Sequence, residues 1–167
     1  MTRFVRFLIL AIPSIGIASA QLKVAVINSQ KAVVDTAEIK KAQAEMEAKF
    51  KPRQDQLVKL QKDLQDIQTQ LQSGKLNQLG EQELQAQGQR KQRELQRIQQ
   101  DLQDDVERDR NDILTRCGTR MRDVVNKLAT EKGLDIVLDG ATTIFFKPTF
   151  DLTAEATTAY DKTYPVK

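Results

Sequence analysis

Leu57-Val58-Lys59-Leu60-Gln61-Lys62-Asp63-Leu64-Gln65-Asp66-Ile67-Gln68-Thr69-Gln70-Leu71 is the stretch whose reading decides the fold. Its large apolar residues Leu57, Leu60, Leu64, Ile67 and Leu71 are spaced 3, 4, 3 and 4 apart, the a/d repeat of helices that wrap around a partner helix. Upstream, Ile39, Ala42, Met46 and Phe50 carry the stripe back toward Ala37. Downstream, Gln72-Ser73-Gly74-Lys75 and Leu76-Asn77-Gln78-Leu79-Gly80 supply turn chemistry from two glycines and an asparagine. A second stripe then runs through Leu95, Ile98, Leu102, Val106, Ile113, Cys117, Met121, Val124 and Leu128 in steps of 3, 4 or 7. The pattern predicts an antiparallel coiled-coil hairpin over 37–132 with its tip near 73–80. The outgoing helix, Ala37 to Gln72, is expected to be roughly 54 Å long and the return helix, Glu81 to Lys132, roughly 78 Å. The return helix therefore overshoots, and Ile113 to Lys132 must lie against the flanking segments. Pro52 interrupts the first stripe and removes the hydrogen bond to the Ala48 carbonyl. It predicts either a kink or break at Phe50 to Arg53 or a proline tolerated on a solvent-facing turn.

Working outward, Leu22-Lys23-Val24-Ala25-Val26-Ile27-Asn28 is β-branched and partly alternating, and reads as a strand. Ser29 to Val34 is long enough for one or two helical turns with Asn28 or Ser29 as N-cap, and Asp35-Thr36 offers the cap of the long helix. After Lys132, Gly133 fits a helix stop. Leu134 to Leu138 reads as a strand, Asp139-Gly140 as a hairpin turn and Thr142 to Lys147 as the partner strand, ending at Pro148. Thr153 is the expected cap of a short last helix that carries Tyr160.

The expected class is thus α+β and mostly α, with the hairpin projecting from a small β-rich body made of 21–36 and 133–167. Two exposed helices bury little surface, so a core completed by oligomerisation is expected. Val24, Val26, Ile136, Val137, Leu138, Ile144 and Phe146 are its candidate residues.

Residues 1–20 have the form of a cleavable export signal. Arg3 and Arg6 are basic, 7–17 are apolar, and Ala18-Ser19-Ala20 is a small-residue cleavage site. Eleven apolar residues are too few to span a bilayer, which takes about 20. Without 1–20 the chain has 24 basic and 23 acidic residues, a net charge of +1 rather than +3. Near neutrality argues against a nucleic-acid partner, as does the lack of any aromatic residue between Phe50 and Phe145 on which bases would stack.

The chain has no histidine and a single cysteine, Cys117, which falls on the apolar stripe and reads as a buried, inert thiol. There is no catalytic triad, zinc-ligand set or phosphate-binding glycine loop, so neither an enzyme nor a cofactor is expected. Between Gln54 and Gln103 there are 17 glutamines, which keep the helix faces soluble without ion pairs. Contacts for a partner are sought where this neutral surface is broken. Leu76, Leu79 and Leu84 lie near the tip, and Arg90, Lys91, Arg93 and Arg97 form a basic cluster behind them. The same residues also admit a bland reading, as leucines that close the hairpin and charges on a solvated helix face.

The chain resembles the Skp/OmpH family of periplasmic chaperones. The resemblance lies in the export signal, the opening strand Lys23 to Asn28, the Leu-, Gln- and Lys-rich helix from Phe50 to Leu71, the return helix, and the closing Leu134-Asp135-Ile136-Val137-Leu138-Asp139 with Asp151-Leu152-Thr153. It implies a jellyfish-shaped homotrimer whose short strands form a central barrel. Its helical arms would hold unfolded outer-membrane proteins against aggregation in the periplasm, without ATP. Lipopolysaccharide or another anionic lipid is a further ligand that the resemblance suggests, with the basic cluster as its contact. The rival reading is a coiled-coil adaptor of the cell envelope that docks on one folded partner.

Overall fold

The computed structural model describes residues 22–166; the export signal read in residues 1–20 lies outside them. The elements run β1 (Val24–Ile27), α1 (Ser29–Val34), α2 (Ala37–Gln72), α3 (Gln78–Lys132), β2 (Ile136–Asp139), a 3-10 turn (Pro148–Phe150) and α4 (Thr153–Thr163).

The helix ends follow from local chemistry. The Asn28 side chain accepts the Lys31 N–H, Thr36 accepts that of Ile39, and Asn77 accepts that of Gly80, each capping the helix that follows. Gly133 ends α3 at φ 60°, the left-handed conformation that glycine adopts without penalty. The turn is tighter than the sequence suggests. Only 73–77 lie outside helix, with Gly74 at φ 65°, while Leu79 and Gly80 already belong to α3.

Helices α2 and α3 pack antiparallel, as residue pairs along them show: Glu38 with Arg120, Lys49 with Asp109, Arg53 with Asp105 and Asp63 with Lys91. Leu60, Leu95 and Ile98 are buried between them, flanked by Leu57 and Leu64. Helix α2 is unbroken at Pro52. Ala48 and Pro52 are both exposed, so water can reach the carbonyl that has lost its partner, while Phe50 remains buried on the stripe.

The overshooting end of α3 packs as its length demands. Cys117, Met121, Val124 and Leu128 join Ile27 of β1, Ala32 and Val33 of α1, Ile39 of α2, and Ala156 and Tyr160 of α4 in the main core.

Two expectations at the strands are corrected. Thr142 to Lys147 is not a strand, and Asp139-Gly140 does not turn the chain back on itself. β2 instead pairs in parallel with β1, Val24 opposite Ile136 through Ile27 opposite Asp139. Gly140 has no positive φ, as a tight two-residue hairpin would require. The Asp139 side chain accepts the Ala141 N–H, and its carbonyl accepts the Thr142 N–H and the Thr143 hydroxyl, which curls the chain locally. The second correction is at Thr153, which does not cap α4. Asp151 accepts its N–H at 2.8 Å, and the Thr153 hydroxyl accepts the Asn28 N–H, tying α4 to β1.

Val137 lies half-buried against the main core, opposite Ala25. Val137→Asp is expected to lower stability by about 2–3 kcal/mol, as an unpaired charge is pushed toward apolar neighbours. Urea unfolding followed by circular dichroism checks this, and an unchanged midpoint would remove β2 from the core.

Candidate functional site

Around the tip the apolar and basic candidates separate by what they touch. Leu76 and Leu84 are half-buried, whereas Leu79 is 64% exposed in the first turn of α3. Lys91 does not project outward. Its Nζ donates to Asp63 of α2 at 2.6 Å, so it holds the two helices in register. This hydrogen bond keeps the Asp63 carboxyl below its usual range.

Arg90, Arg93 and Arg97 are exposed. Their spacing of 3 and 4 puts them on one side of α3. Arg93 also borders a shallow groove between the helices, floored by Leu64, Ile67 and Leu71. Gly88 lies opposite Ile67, where an added Cβ would stand 3.4 Å from its side chain, so the two helices approach closely there. The outcome near the tip is a surface of short apolar strips edged by Arg90, Arg93 and Arg97 and many amides.

At the other end of the hairpin the body candidates also divide. Val26 is buried in the chain's own core, Val24 and Val137 are half-buried, and Phe146 is half-buried beside the curled segment. Ile136, Leu138 and Ile144 are exposed. Phe145 and Phe150 are exposed too, and the sequence reading missed both. It read 142–147 as a strand of the body and named only Ile144 and Phe146 from it.

It also missed a polar junction at the root of the hairpin. Glu38 of α2 accepts from Arg120 Nη1 at 2.8 and 2.9 Å, from Arg116 at 3.1 Å and from the Tyr160 hydroxyl at 2.6 Å. Burial pushes the Glu38 carboxyl up, but these three donors outweigh it and hold the carboxyl below its ordinary value. Burial also raises Tyr160 and Cys117, so both stay protonated at neutral pH. Nothing in a periodicity search marks Glu38, because its partners come from α3 and α4, far away along the chain.

Among the described residues, no group of three or more His, Cys, Asp or Glu side chains could hold a metal ion, and no helix is long and apolar enough to cross a membrane.

The family model described as "Outer membrane protein (OmpH-like)" matches residues 23–160. The chain belongs to the OmpH-like family. This agrees with the resemblance carried by the opening strand and the closing Leu134 to Asp139. The OmpH-like chain is also similar to the crystal structure of a candidate outer membrane chaperone (OmpH-like) from Caulobacter crescentus CB15. The two are 19% identical, with a TM-score of 0.73 over 89% of each chain. That likeness shows a shared fold, mostly helical with a small sheet. No curated protein matches the OmpH-like chain.

Proposed function

We propose that this protein is an ATP-independent holdase of the periplasm, exported by cleavage of residues 1–20, that keeps unfolded outer-membrane proteins from aggregating. The observation that carries the reading is membership of the OmpH-like family across 23–160, joined to an antiparallel hairpin that exposes apolar and basic side chains near its tip. In this reading 21–36 and 133–167 assemble with sister chains into a homotrimer. The coiled-coil arms of 37–132 enclose a space, and clients are held inside by many weak contacts.

Leu79, with Leu76 and Leu84, supplies apolar contact. Arg90, Arg93 and Arg97 supply long aliphatic stems with charged ends, which cover client surface without fixing it. Their charge also suits the phosphates of lipopolysaccharide or another anionic lipid. Lys91 keeps a lesser part, since its charge is already spent on Asp63. The protein is read as a non-enzymatic binder, without cofactor and without nucleic-acid partner.

The test is dilution of an unfolded β-barrel membrane protein from denaturant in the presence of stoichiometric purified chain, followed by light scattering. Suppression of scattering without nucleotide is expected. Scattering that rises as fast as in the control, together with saturable binding to one folded envelope protein, would replace the holdase by an adaptor.

A further inference from the structure

Near the tip, the shallow groove between α2 and α3 has a volume of about 490 Å³. Its floor is apolar. Ile67 is buried, whereas Leu64 and Leu71 are half-buried, so the floor stays partly open to water. Gly88 lines the groove and brings no side chain over it.

The rim is made of side-chain amides. Gln68 of α2 and Gln89 and Gln92 of α3 line it and are exposed, and Arg93 is the one charged residue among the described residues that border it. Residues three, four or seven apart share a helix face, so Gln61 and Gln65 extend the amide rim along α2, and Gln85 and Gln96 extend it along α3. Elsewhere on α3 the Gln100 amide is occupied, donating to Asp104 at 2.8 Å. The ion pair of this part of the hairpin lies away from the groove. Asp63 and Lys91 pair across the helices, and helix geometry puts Asp63 on the other side of the Leu64–Leu71 stripe from Gln68.

The groove thus combines an apolar floor, side chains that both donate and accept, and a single cation. The surface of a folded protein has most of its peptide groups already paired. An unfolded chain does not, and along the strands of a membrane β-barrel apolar and polar side chains alternate. An extended segment of that kind turns its apolar side chains to the floor, while its N–H and C=O groups meet glutamine amides, each of which can donate and accept. Arg93 attracts a carboxylate on the outer side of the segment and repels a cation there.

We propose that this amide-rimmed groove binds an extended client segment through its peptide groups, favouring segments that carry an acidic side chain among apolar ones over segments that carry a basic one. The inference rests on the chaperone reading above and assigns it a surface and a mode of recognition. Because uncharged amide contacts are not screened by salt, binding persists at high ionic strength and only the preference set by Arg93 fades.

The test uses a short fluorescent peptide of alternating leucine and serine with one central glutamate, titrated with the full exported chain and read by anisotropy. Two further peptides are compared with it. One carries lysine for glutamate, and the other is N-methylated at alternate residues, which removes peptide donors and keeps the apolar side chains. The glutamate peptide is expected to bind about tenfold more tightly than either, a difference within the range of one or two hydrogen bonds. Arg93→Gln should erase the difference between glutamate and lysine and leave the effect of N-methylation. Gln68→Glu/Gln89→Glu/Gln92→Glu keeps size and helix propensity but replaces donors by negative charge, and should weaken the glutamate peptide about tenfold or more. Gln70→Glu/Gln87→Glu, which lies outside the groove, should bind as the unsubstituted chain does. Far-ultraviolet circular dichroism checks that each variant keeps its helices.

An N-methylated peptide that binds as well as its parent, or a triple glutamate variant that binds as tightly as the Gln70/Gln87 variant, overturns the groove assignment. The holdase reading then still stands if the unsubstituted chain suppresses scattering by the unfolded β-barrel protein. Peptide binding as expected, with scattering unchanged, keeps the groove and removes the holdase. A triple variant whose sedimenting mass falls below that of the unsubstituted chain gives the groove to a sister chain, which overturns the assignment to a client.

Discussion

Cys117→Asp is expected to abolish the cooperative thermal transition of the strand end of the molecule. Cys117 is fully buried in the main core, among residues of β1, α1, α2, α3 and α4, and faces the Tyr160 hydroxyl and the Glu38 carboxylate. A carboxylate at this position loses its hydration, and Glu38 repels it. Remaining charged or taking up a proton each costs free energy. The expected loss is about 4 kcal/mol or more, against a total of roughly 5–15 kcal/mol for a domain. Cys117→Ala separates the charge from the packing. It removes only the sulfur and is expected to melt cooperatively at a lower temperature. Differential scanning calorimetry distinguishes the two, and an aspartate variant melting within a few degrees of the unsubstituted chain would place position 117 at the surface.

Glu38→Ala should lower stability by about 2 kcal/mol, because it leaves two guanidinium groups and the Tyr160 hydroxyl short of an acceptor where α2, α3 and α4 meet. Tyr160→Phe keeps the buried ring and removes one donor, so its loss should be smaller, about 1 kcal/mol. The pH dependence has a definite sign. The folded protein holds Glu38 below its ordinary value of 4.5, so the stabilisation is complete above that pH and is lost as pH falls through the folded-state value. Asp139 and Asp151, also lowered by neighbouring hydroxyl groups, add to the same acid slope. Urea titrations at several pH values should therefore give a shallower acid slope for Glu38→Ala than for the unsubstituted chain. Parallel slopes would mean that the junction contributes nothing.

What was legible from the chain was whatever repeats locally. The 3,4 spacing from Leu57 to Leu71 and from Leu95 to Leu128 identified the buried stripes, because helix geometry turns sequence spacing directly into a face. Asn28 or Ser29, Asp35-Thr36 and Gly133 marked the helix ends, since a cap acts within three or four residues, and the structure uses Asn28, Thr36 and Gly133. The surplus length of α3 required partners beyond α2, and its last turns do pack with β1, α1 and α4, although Arg116 and Arg120 still pair with Glu38 at the start of α2. Where the reading failed, the competing partner was distant. Val24 to Ile27 and Ile136 to Asp139 pair across more than 100 residues, whereas Asp139-Gly140 offered a hairpin a few residues away. The local rule favoured the near strand, but the edge of β1 was open and Gly140 kept a negative φ.

The candidate surface was legible to the same degree. Leu79 and the arginines stood out against a glutamine-rich background, so composition alone located them. That Lys91 is bound to Asp63 while Arg90, Arg93 and Arg97 face outward depends on how α2 is rotated against α3, which spacing within α3 does not contain. The exposure of Ile144 and Phe145 was hidden for a related reason. An Ile-Phe-Phe run is equally compatible with a strand in the chain's own sheet and with apolar surface left over.

The sequence by itself determined the two long helices, their apolar faces and their approximate ends, because these follow from spacing and residue type. Only the tertiary structure decided the parallel pairing of β1 with β2, the Glu38 junction and the groove beside Gly88. Each depends on where remote segments meet once the core has closed, and a pattern read along the chain carries no information about which of several compatible neighbours wins that place.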